Sequence, residues 1–278
     1  LAMSVEEGHP ELCELQDSYL NDRHFPPSQQ MLGLKPIIDE EFGLMEKDDT
    51  DLLNFVLQTN KDAWKGPLPT EESKLHSQEL PSKVTMLHMM VGAIKRMILM
   101  ARKFPAMIEL HDTDQMKLYK SCYLDVMIIR GAMAYDPKEN AWKGPTSDHD
   151  YKIKMDAMND DATGVNMFEK SIRLYTMFKE EYRSDEPVML LLNMIVLFDP
   201  NVEGLTNVVA VKNEQNRYKR CLKRYMFTKL HKNPNSTVQN EYKSLLDRLA
   251  TVRTMTPGAR GIMVEHADSM APLLKELL

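Results

Sequence analysis

Three short segments combine carboxylates or histidine closely enough to suggest metal-dependent chemistry: DDTD at 48–51, NDDA at 159–162, and HDTD at 111–114. Carboxylate oxygens are the protein ligands that Mg²⁺ prefers, and isoprenoid-type helical enzymes place them at DDxxD spacing. Neither aspartate segment fits that spacing. Acidic residues also collect at the starts of helices, where they interact favourably with the helix dipole. We interpret His111, Asp112 and Asp114 in that way, and we predict no metal and no cofactor.

Other catalytic patterns are missing from the sequence. It contains no HExxH, GxSxG, P-loop or GxGxxG motif, and its eight histidines lack paired spacing. The three cysteines, Cys13, Cys122 and Cys221, are isolated. They form neither a zinc spacing nor a disulfide framework, which predicts a reducing intracellular compartment. The sequence therefore predicts that the chain is not an enzyme and has no catalytic residues.

Composition is typical of a folded globular protein. The 278 residues are 43% hydrophobic and 27% charged, with a net charge of −6. The negative charge and the lack of a basic block argue against nucleic-acid binding by this chain alone. The longest apolar stretch, VMLLLNMIVLF at 188–198, is interrupted by Asn193 and is too short to span a bilayer. The N-terminal segment does not resemble a signal peptide, and we expect residues 1–8 to be a hinge or a cloning remnant.

The elements that must position any site are predicted to be helices. In residues 80–104, apolar side chains recur in two stripes at i+3 and i+4 spacing, which indicates a helix buried over most of its circumference. Pro105 ends that helix. A second helix begins with Asp112 as N-cap and Gln115 three residues later, a capping-box pattern. Its consecutive apolar residues 126–129 predict burial on every side, and two buried helices in succession indicate a layered all-α domain.

The rest of the chain is also mostly helical in pattern. Turn-forming residues after Tyr135 predict a small β-hairpin or a loop. Helices are predicted at about 164–183, 187–198, 205–230 and 238–255, and residues 60–82 are predicted to be a long, mobile loop. The similar hexapeptides DAWKGP (62–67) and NAWKGP (140–145) are interpreted as coincidence, because nothing around them repeats. No composition break divides the chain, so we expect one domain over 1–278.

Two motifs carry a resemblance to a known family. The segment ARKFPAMIELHDTDQMKLYKSCYLDVMIIR resembles the signature of nuclear receptor ligand-binding domains, and PLLKELL at the C-terminus resembles the family's activation helix, expected at 268–278. The resemblance covers essentially the whole chain. It implies a three-layer antiparallel helical sandwich of roughly a dozen helices. The signature positions are Arg102, Pro105, Asp114, Gln115 and Lys120, with Glu276 in the activation helix.

Within the family, the vitamin D and pregnane receptor group and its invertebrate relatives are most similar. MIIRGAM is followed twelve residues after Arg130 by Trp142 and then by DYKIK, as in that group. The segment LLDRLATVRTM (245–255) resembles the helix that binds a retinoid X receptor-type partner, here expected around 238–255. The resemblance implies a nuclear transcription factor that binds DNA only through a zinc module absent from this chain. It implies no membrane contact.

The resemblance also implies two sites. Arg102, Lys120 and Glu276 would clamp the two ends of an LxxLL coactivator helix. In a ligand cavity, Arg130 would anchor an oxygen-bearing end of a small lipophilic molecule and Trp142 would form part of the wall. Two structural alternatives stay open: a structural ion pair for Arg130, and an ordinary core role for the methionines, of which the whole chain has 22. The predicted lining residues are Met86, Met90, Ala93, Met97 and Met127.

Three positions depart from the family pattern. Arg102 occupies a position that is usually Lys, and a planar guanidinium is not equivalent to an ammonium. Val202 stands where heterodimerising relatives tend to carry an arginine, which would pair with an acid on the helix of Asp125. Pro257 and Gly258 predict a break or bend in a helix that relatives often continue.

Two further alternatives stay open. A helical scaffold could bind LxxLL partners constitutively, without any small molecule. The tail itself spells LxxLL through Leu274, Leu277 and Leu278, so it could occupy the groove of its own or another molecule. That spacing also arises by chance on short helices.

Overall fold

A computed structural model of the chain describes residues 43–65, 82–145, 150–154, 167–229 and 236–265. Those residues form helices and one small sheet. The helices are α1 (Lys47–Trp64), α2 (Ser82–Ala101), α3 (Pro105–Ile108), α4 (Asp112–Ala134), α5 (Met167–Thr176), α6 (Glu180–Arg183), α7 (Glu186–Leu197), α8 (Val208–Lys229) and α9 (Ser236–Glu265), and the strands are β1 (Tyr135–Asp136), β2 (Ala141–Pro145) and β3 (Asp150–Lys154).

Helices α4 and α7 lie at the centre of the fold. Every residue of 188–198 is buried, and α7 contacts α1, α4, α6 and α8. α4 packs against α2, α5, α7 and α9. α7 begins at Asp185, whose side chain accepts a hydrogen bond from the Val188 amide, and Pro187 follows in the first turn. This arrangement confirms the predicted all-α class with a small antiparallel sheet. Among the described residues, no helix is long and apolar enough to cross a membrane.

The predicted burial of the first long helix is confirmed for residues 91–101, the part of α2 whose side chains are described. No position of 91–101 on α2 is exposed. The burial includes Arg96, which is only 2% exposed although its charge gave it no place in either apolar stripe.

The region after Tyr135 forms the predicted hairpin with one added strand. β1, β2 and β3 are antiparallel and lie in that order, with Trp142 paired to both Tyr135 and Ile153. The turn between β1 and β2 ends at Asn140, which has a positive φ of 47°, a conformation that asparagine tolerates. Its side chain accepts a hydrogen bond of 3.1 Å from the Tyr135 hydroxyl. The sheet therefore places Trp142 at the end of α4.

Three predicted boundaries are wrong. α1 continues to Trp64, so the start of the predicted loop at 60–82 is helical; residues 66–81 lie outside the described chain. The N-cap of α4 is His111, whose ring accepts from the Thr113 amide, and Asp112 is the first helical residue. The predicted helix at 164–183 is two helices, because the chain turns at 177–179 and buries Phe178 completely.

Of the break or bend predicted at Pro257 and Gly258, the break does not occur, since α9 runs through both residues to Glu265. Proline lacks the N–H that would donate to the carbonyl of Arg253. The Thr256 hydroxyl donates to that carbonyl instead, at 3.0 Å. A side-chain donor one residue away thus substitutes for the missing backbone bond.

Candidate functional site

The first predicted cation, Arg102, lies where α2 gives way to the short helix α3. α2 ends at Ala101, and the Arg102 amide still donates to the Ile98 carbonyl at 3.0 Å. Pro105 occupies the first position of α3 and cannot continue the preceding helix. The chain therefore turns here towards α4, and Arg102 stays half-buried at the corner.

The second predicted cation, Lys120, is half-buried on α4, next to the buried Tyr119. Burial raises the pKa of the Tyr119 hydroxyl, and the nearby Arg102 guanidinium opposes that rise by favouring the phenolate. Arg102 therefore lies near the hydroxyl of Tyr119 on α4. Arg102 and Lys120 are thus both half-buried, and Glu276, the third predicted residue, lies outside the described residues.

Arg260 of α9 also contacts this end of α4. Its guanidinium donates a hydrogen bond to the Lys120 carbonyl and lies 5.5 Å from the centre of the Tyr123 ring. Burial raises the pKa of Tyr123, and the Arg260 charge partly offsets that increase. The sequence gave Arg260 no role, because its partners lie far away along the chain.

The signature residues Asp114 and Gln115 join elements together. The fully buried Asp114 carboxylate accepts from the Thr206 amide at 2.9 Å, the Thr206 hydroxyl at 2.7 Å and the Asn207 amide at 2.9 Å. Burial opposes ionisation, but these hydrogen bonds outweigh it and lower the pKa of Asp114. Gln115 donates to the Leu110 carbonyl at 2.9 Å. Asp114 therefore fixes the start of α4 against the start of α8, and Gln115 ties α4 to the residues just before it.

The acidic segments examined for metal binding have structural partners. Asp49 of α1 forms ion pairs with Arg224 at 2.8 Å and Arg220 at 3.4 Å, both on α8. Within the ranges the structure describes, no three His, Cys, Asp or Glu side chains are grouped to hold a metal ion. The segment at 159–162 lies outside those ranges.

The predicted ligand anchor, Arg130, lies among residues of α1. Its guanidinium donates to the Asn60 side-chain oxygen at 2.7 Å and lies 4.7 Å from the centre of the Trp64 ring. Asn60 in turn donates to Glu186 at 3.0 Å. Arg96 also lies 4.7 Å from the Trp64 ring. Arg130 is thus linked to an acid through an amide.

A small cavity of about 10 Å³ lies beside Arg130, between α2, α4 and α7. Of the predicted lining residues, Met97 and Arg130 border it. Ala93 and Met127 are half-buried on α2 and α4. Met86 and Met90 lie on α2, but their side chains fall outside the described part.

The predicted wall residue Trp142 contacts a different group. Its ring is half-buried, and its centre lies 5.9 Å from that of Tyr175 on α5, which also packs 5.7 Å from Tyr135. A side chain at Gly131 of α4 would meet the Tyr175 hydroxyl at 2.7 Å. The glycine next to Arg130 therefore allows this aromatic group to pack onto α4.

Sequence reasoning missed the residues of α1 that hold Arg130. Asn60 and Trp64 were assigned to a loop because the helical pattern fades there and DAWKGP ends in turn formers. A signal was present, since Trp64 is one of only two tryptophans in the chain. Large aromatic side chains are seldom left fully exposed in loops.

On the helix expected to carry the acid for a loop arginine, the buried Asp125 pairs with an arginine of α9. Asp125 of α4 forms an ion pair of 3.4 Å with Arg253 of α9, and Arg253 also pairs with Asp199, just after α7. Val202 packs against the core instead. On its outer face, α9 exposes Lys243, Asp247, Ala250, Thr251 and Thr254.

Comparisons with known proteins identify the family to which the chain is similar. Residues 72–263 match the sequence model of a family described as the ligand-binding domain of nuclear hormone receptor. The chain is 28% identical to nuclear hormone receptor HR96 of Drosophila melanogaster over 199 residues, 71% of this chain and 27% of that protein. It is 25% identical to nuclear hormone receptor family member nhr-8 of Caenorhabditis elegans over 250 residues, covering 86% and 41%.

A vertebrate receptor is similar as well. The vitamin D3 receptor of Xenopus laevis is 23% identical over 191 residues, which are 66% of this chain and 44% of the receptor. The chain thus spans less than half the length of each of these three relatives.

Proposed function

Since this chain belongs to the family of nuclear hormone receptor ligand-binding domains, we propose that it is the sensor module of a transcription factor acting in the nucleus. The module binds a small lipophilic molecule and recruits coactivators that carry an LxxLL motif. DNA is bound by a zinc module outside this chain. The observation that supports the proposal is that two cations, Arg102 after α2 and Lys120 on α4, are both half-buried, with Arg102 near the hydroxyl of Tyr119 on α4.

The physical basis of recruitment is the chemistry of helix ends. A short helix leaves free carbonyls at its C-terminus and free N–H groups at its N-terminus. Arg102 and Lys120 donate to the carbonyls of the docked helix, and Glu276 accepts from its N–H groups. The leucines enter the groove between these ends, beside Met116 and Ile108, whose side chain is 54% exposed.

The small molecule controls the position of the C-terminal helix, expected at residues 268–278, because the docked helix contacts the ligand. A ligand shifts the position of that helix only by its differential affinity for the docked and undocked states. We assign the polar end of the ligand to Arg130 and its apolar body to the methionines of α2 and α4, in agreement with an apolar ligand bearing one oxygen-containing end. Helix α9, which contains the predicted partner segment at 238–255, serves as the surface for a retinoid X receptor-type partner.

A second candidate function is a constitutive scaffold that binds LxxLL partners without a small molecule. It is favoured by the cavity beside Arg130, which has a volume of only about 10 Å³, far below the roughly 300–1,000 Å³ of drug-sized ligand sites. The hydrogen bond from Arg130 to Asn60 agrees with this alternative. Ligand-dependent stabilisation separates the two functions, because a ligand adds RT ln(1 + [L]/Kd) to the free energy of unfolding.

The first test measures the binding of a fluorescent LxxLL peptide by anisotropy. We expect Lys120→Ala and Glu276→Lys each to weaken binding about tenfold or more, since charge-assisted hydrogen bonds contribute about 1.5–3 kcal/mol. Lys212→Ala is the matched control, because Lys212 is an exposed lysine on α8. The measurement is repeated after bound lipid has been stripped from the protein.

The outcomes separate the candidates. Equal affinities for Lys120→Ala and Lys212→Ala would remove Lys120 from the coactivator site. Loss of wild-type binding after stripping supports the sensor, and unchanged binding supports the constitutive scaffold. If the wild type does not bind but a variant with Leu274→Ala and Leu277→Ala, which keeps Glu276, does, the tail LxxLL occupies the groove.

A further inference from the structure

Arg260 of α9 is a half-buried charged residue to which the proposed function gives no part. Its guanidinium donates a hydrogen bond to the Lys120 carbonyl, and the guanidinium carbon lies 5.5 Å from the centre of the Tyr123 ring. Lys120 and Tyr123 are three residues apart on α4, and residues at that spacing are neighbours on one face of a helix. Arg260 therefore holds one turn of α4 by two contacts of different kinds.

Both contacts suit a guanidinium. The Lys120 carbonyl lies inside a helix, where a carbonyl accepts from the amide four residues later, so its second lone pair is left for a side-chain donor. A guanidinium has five N–H groups on a rigid plane, and its flat face packs on an aromatic ring. The Tyr123 side chain is fully buried, so water does not compete with the guanidinium at the ring.

The place of Arg260 along α9 decides what these contacts do. Two turns earlier, α9 is joined to α4 by the ion pair of 3.4 Å between Arg253 and Asp125. Arg260 is the last residue of α9 whose side chain the structure describes, and the helix continues five residues further, to Glu265. Five residues of α-helix are about 7.5 Å long. The contact at Lys120 therefore fixes where this last stretch of α9 lies relative to α4.

We propose that Arg260 is a positioning residue of the coactivator site, a statement that rests on the proposed function. In that function, the Lys120 ammonium binds one end of the LxxLL helix and Glu276 binds the other. Glu276 belongs to the C-terminal helix expected at 268–278, which begins shortly after α9 reaches Glu265. By holding α9 to α4 at Lys120, Arg260 sets the separation between the two ends of the site.

The separation matters because the bound helix has a fixed length. Each residue adds about 1.5 Å to a helix, whereas a hydrogen bond is lost once the distance between donor and acceptor grows from about 2.9 Å to about 3.6 Å. A shift of α9 along α4 by the rise of a single residue therefore leaves one end of the LxxLL helix without its partner. Arg260 thus acts on the peptide through Lys120 and Glu276.

Anisotropy of a fluorescent LxxLL peptide with the full chain tests the positioning role. Methionine keeps a long, unbranched side chain but has no donor and no charge, so we expect Arg260→Met to weaken binding about fivefold. Arg248→Met is the matched control, because Arg248 is half-buried on the same helix, about three turns before Arg260. The control should keep wild-type affinity. Equal affinities of Arg260→Met and wild type would overturn the role, and Arg260→Gln replaces the methionine variant if that does not fold.

A double-mutant cycle separates positioning from a general loss of stability. Without the Lys120 ammonium only one charged end of the site is left, so the separation of the two ends no longer matters. We therefore expect Arg260→Met to weaken binding less than about twofold in a Lys120→Ala background. The same fivefold loss in both backgrounds would show that Arg260 only stabilises the fold.

Hydrogen exchange at the backbone amides of 261–265 tests the contact itself, without any peptide. We expect these amides to exchange about tenfold faster in Arg260→Met than in wild type or Arg248→Met, because the end of α9 opens locally once Arg260 no longer holds it. Unchanged exchange would show that other contacts hold α9, and it would overturn the proposal.

The exchange measurement also separates this proposal from the proposed function. If neither the wild type nor the variant with Leu274→Ala and Leu277→Ala binds LxxLL peptides, the proposed function fails, and the coactivator role of Arg260 fails with it. Faster exchange in Arg260→Met would still show that Arg260 holds α9 to α4. Peptide binding with unchanged exchange would instead keep the proposed function and remove the positioning role.

Discussion

At the scale of single residues, Asp114 illustrates how a signature position acts through the fold. Its carboxylate holds the backbone of Thr206 and Asn207, which precede α8. The partners are 92 and 93 residues away along the chain. The resemblance identified the position, but no local pattern could predict these partners, because they meet only after the helices pack.

The Asp114→Asn substitution should reduce the free energy of unfolding by about 1–3 kcal/mol, since it places an NH₂ group against backbone donors. The pKa of Asp114 is lowered in the folded state, so its contribution is complete above the unfolded pKa of about 3.9. Urea unfolding of wild type and Asp114→Asn at neutral pH measures the difference in the free energy of unfolding. The control is Asp112→Asn, an exposed acid two residues earlier, which should cost less than about 1 kcal/mol. Equal costs would contradict the role assigned to Asp114.

Arg102 and Lys120 show what could be predicted about the site. The family resemblance identified both positions, and the sequence pattern around Pro105 placed Arg102 at the end of one helix and Lys120 in the early turns of the next. Arg130 shows what could not. Its contacts with Asn60 and Trp64 require α1 to reach Trp64. The sequence predicted a loop at these residues because their local helix propensity is weak. Contacts with residues far away along the chain stabilise this last turn of α1.

At the scale of elements, periodicity predicted the long helices well. α2, α4, α7 and α8 all lie where apolar residues recur at helical spacing. The errors fall at helix ends, where one hydrogen bond decides the boundary. His111 replaces Asp112 as the cap of α4 because its ring accepts from the Thr113 amide.

Thr256 and Pro257 give a test of how α9 continues. Thr256→Val removes the hydroxyl that donates to the Arg253 carbonyl, and we expect it to lower the free energy of unfolding by about 0.5–1.5 kcal/mol. In a Pro257→Ala background, the restored amide donates to that carbonyl, so Thr256→Val should cost close to nothing. Thermal unfolding of the four variants measures this double-mutant cycle. Additive costs would mean that the hydroxyl bonds elsewhere, with the nearby Asp125 carboxylate as the alternative acceptor.

At the scale of the whole molecule, Arg253 joins three parts of the fold. It pairs with Asp125 on α4 and Asp199 after α7, and it donates to the Val196 carbonyl at 3.3 Å. Arg260, seven residues later, contacts Lys120 on the same helix α4. Seven residues are about two helical turns, so Arg253 and Arg260 lie on the same face of α9, and this face packs on α4.

Asp125 makes the stability of the molecule depend on pH. Burial raises the pKa of Asp125 to about 6, and Arg253 only partly offsets the increase. At pH values between the unfolded pKa of about 3.9 and this folded pKa, Asp125 is protonated in the native state and largely ionised in the unfolded state. The contribution of Asp125 to the free energy of unfolding therefore declines as pH rises through this window, by up to about 3 kcal/mol.

Urea unfolding at several pH values from about 4 to 7 checks this expectation. Asp125→Asn cannot titrate, and it leaves Arg253 its pair with Asp199. Wild type should lose stability relative to the variant as pH rises, because other titrating groups cancel in the comparison. A constant difference across the range would show that Asp125 stays charged throughout.

The two tryptophans, Trp64 and Trp142, give the molecule a pair of native optical probes. Trp64 lies 4.7 Å from the guanidinium carbon of Arg130, whereas Trp142 packs on Tyr175 at the sheet. Fluorescence excited selectively at the indoles therefore reports on two separate places, one of them beside the proposed ligand anchor. A Trp142→Phe variant isolates the emission of Trp64, so that rearrangement around Arg130 can be followed in real time without attaching any dye.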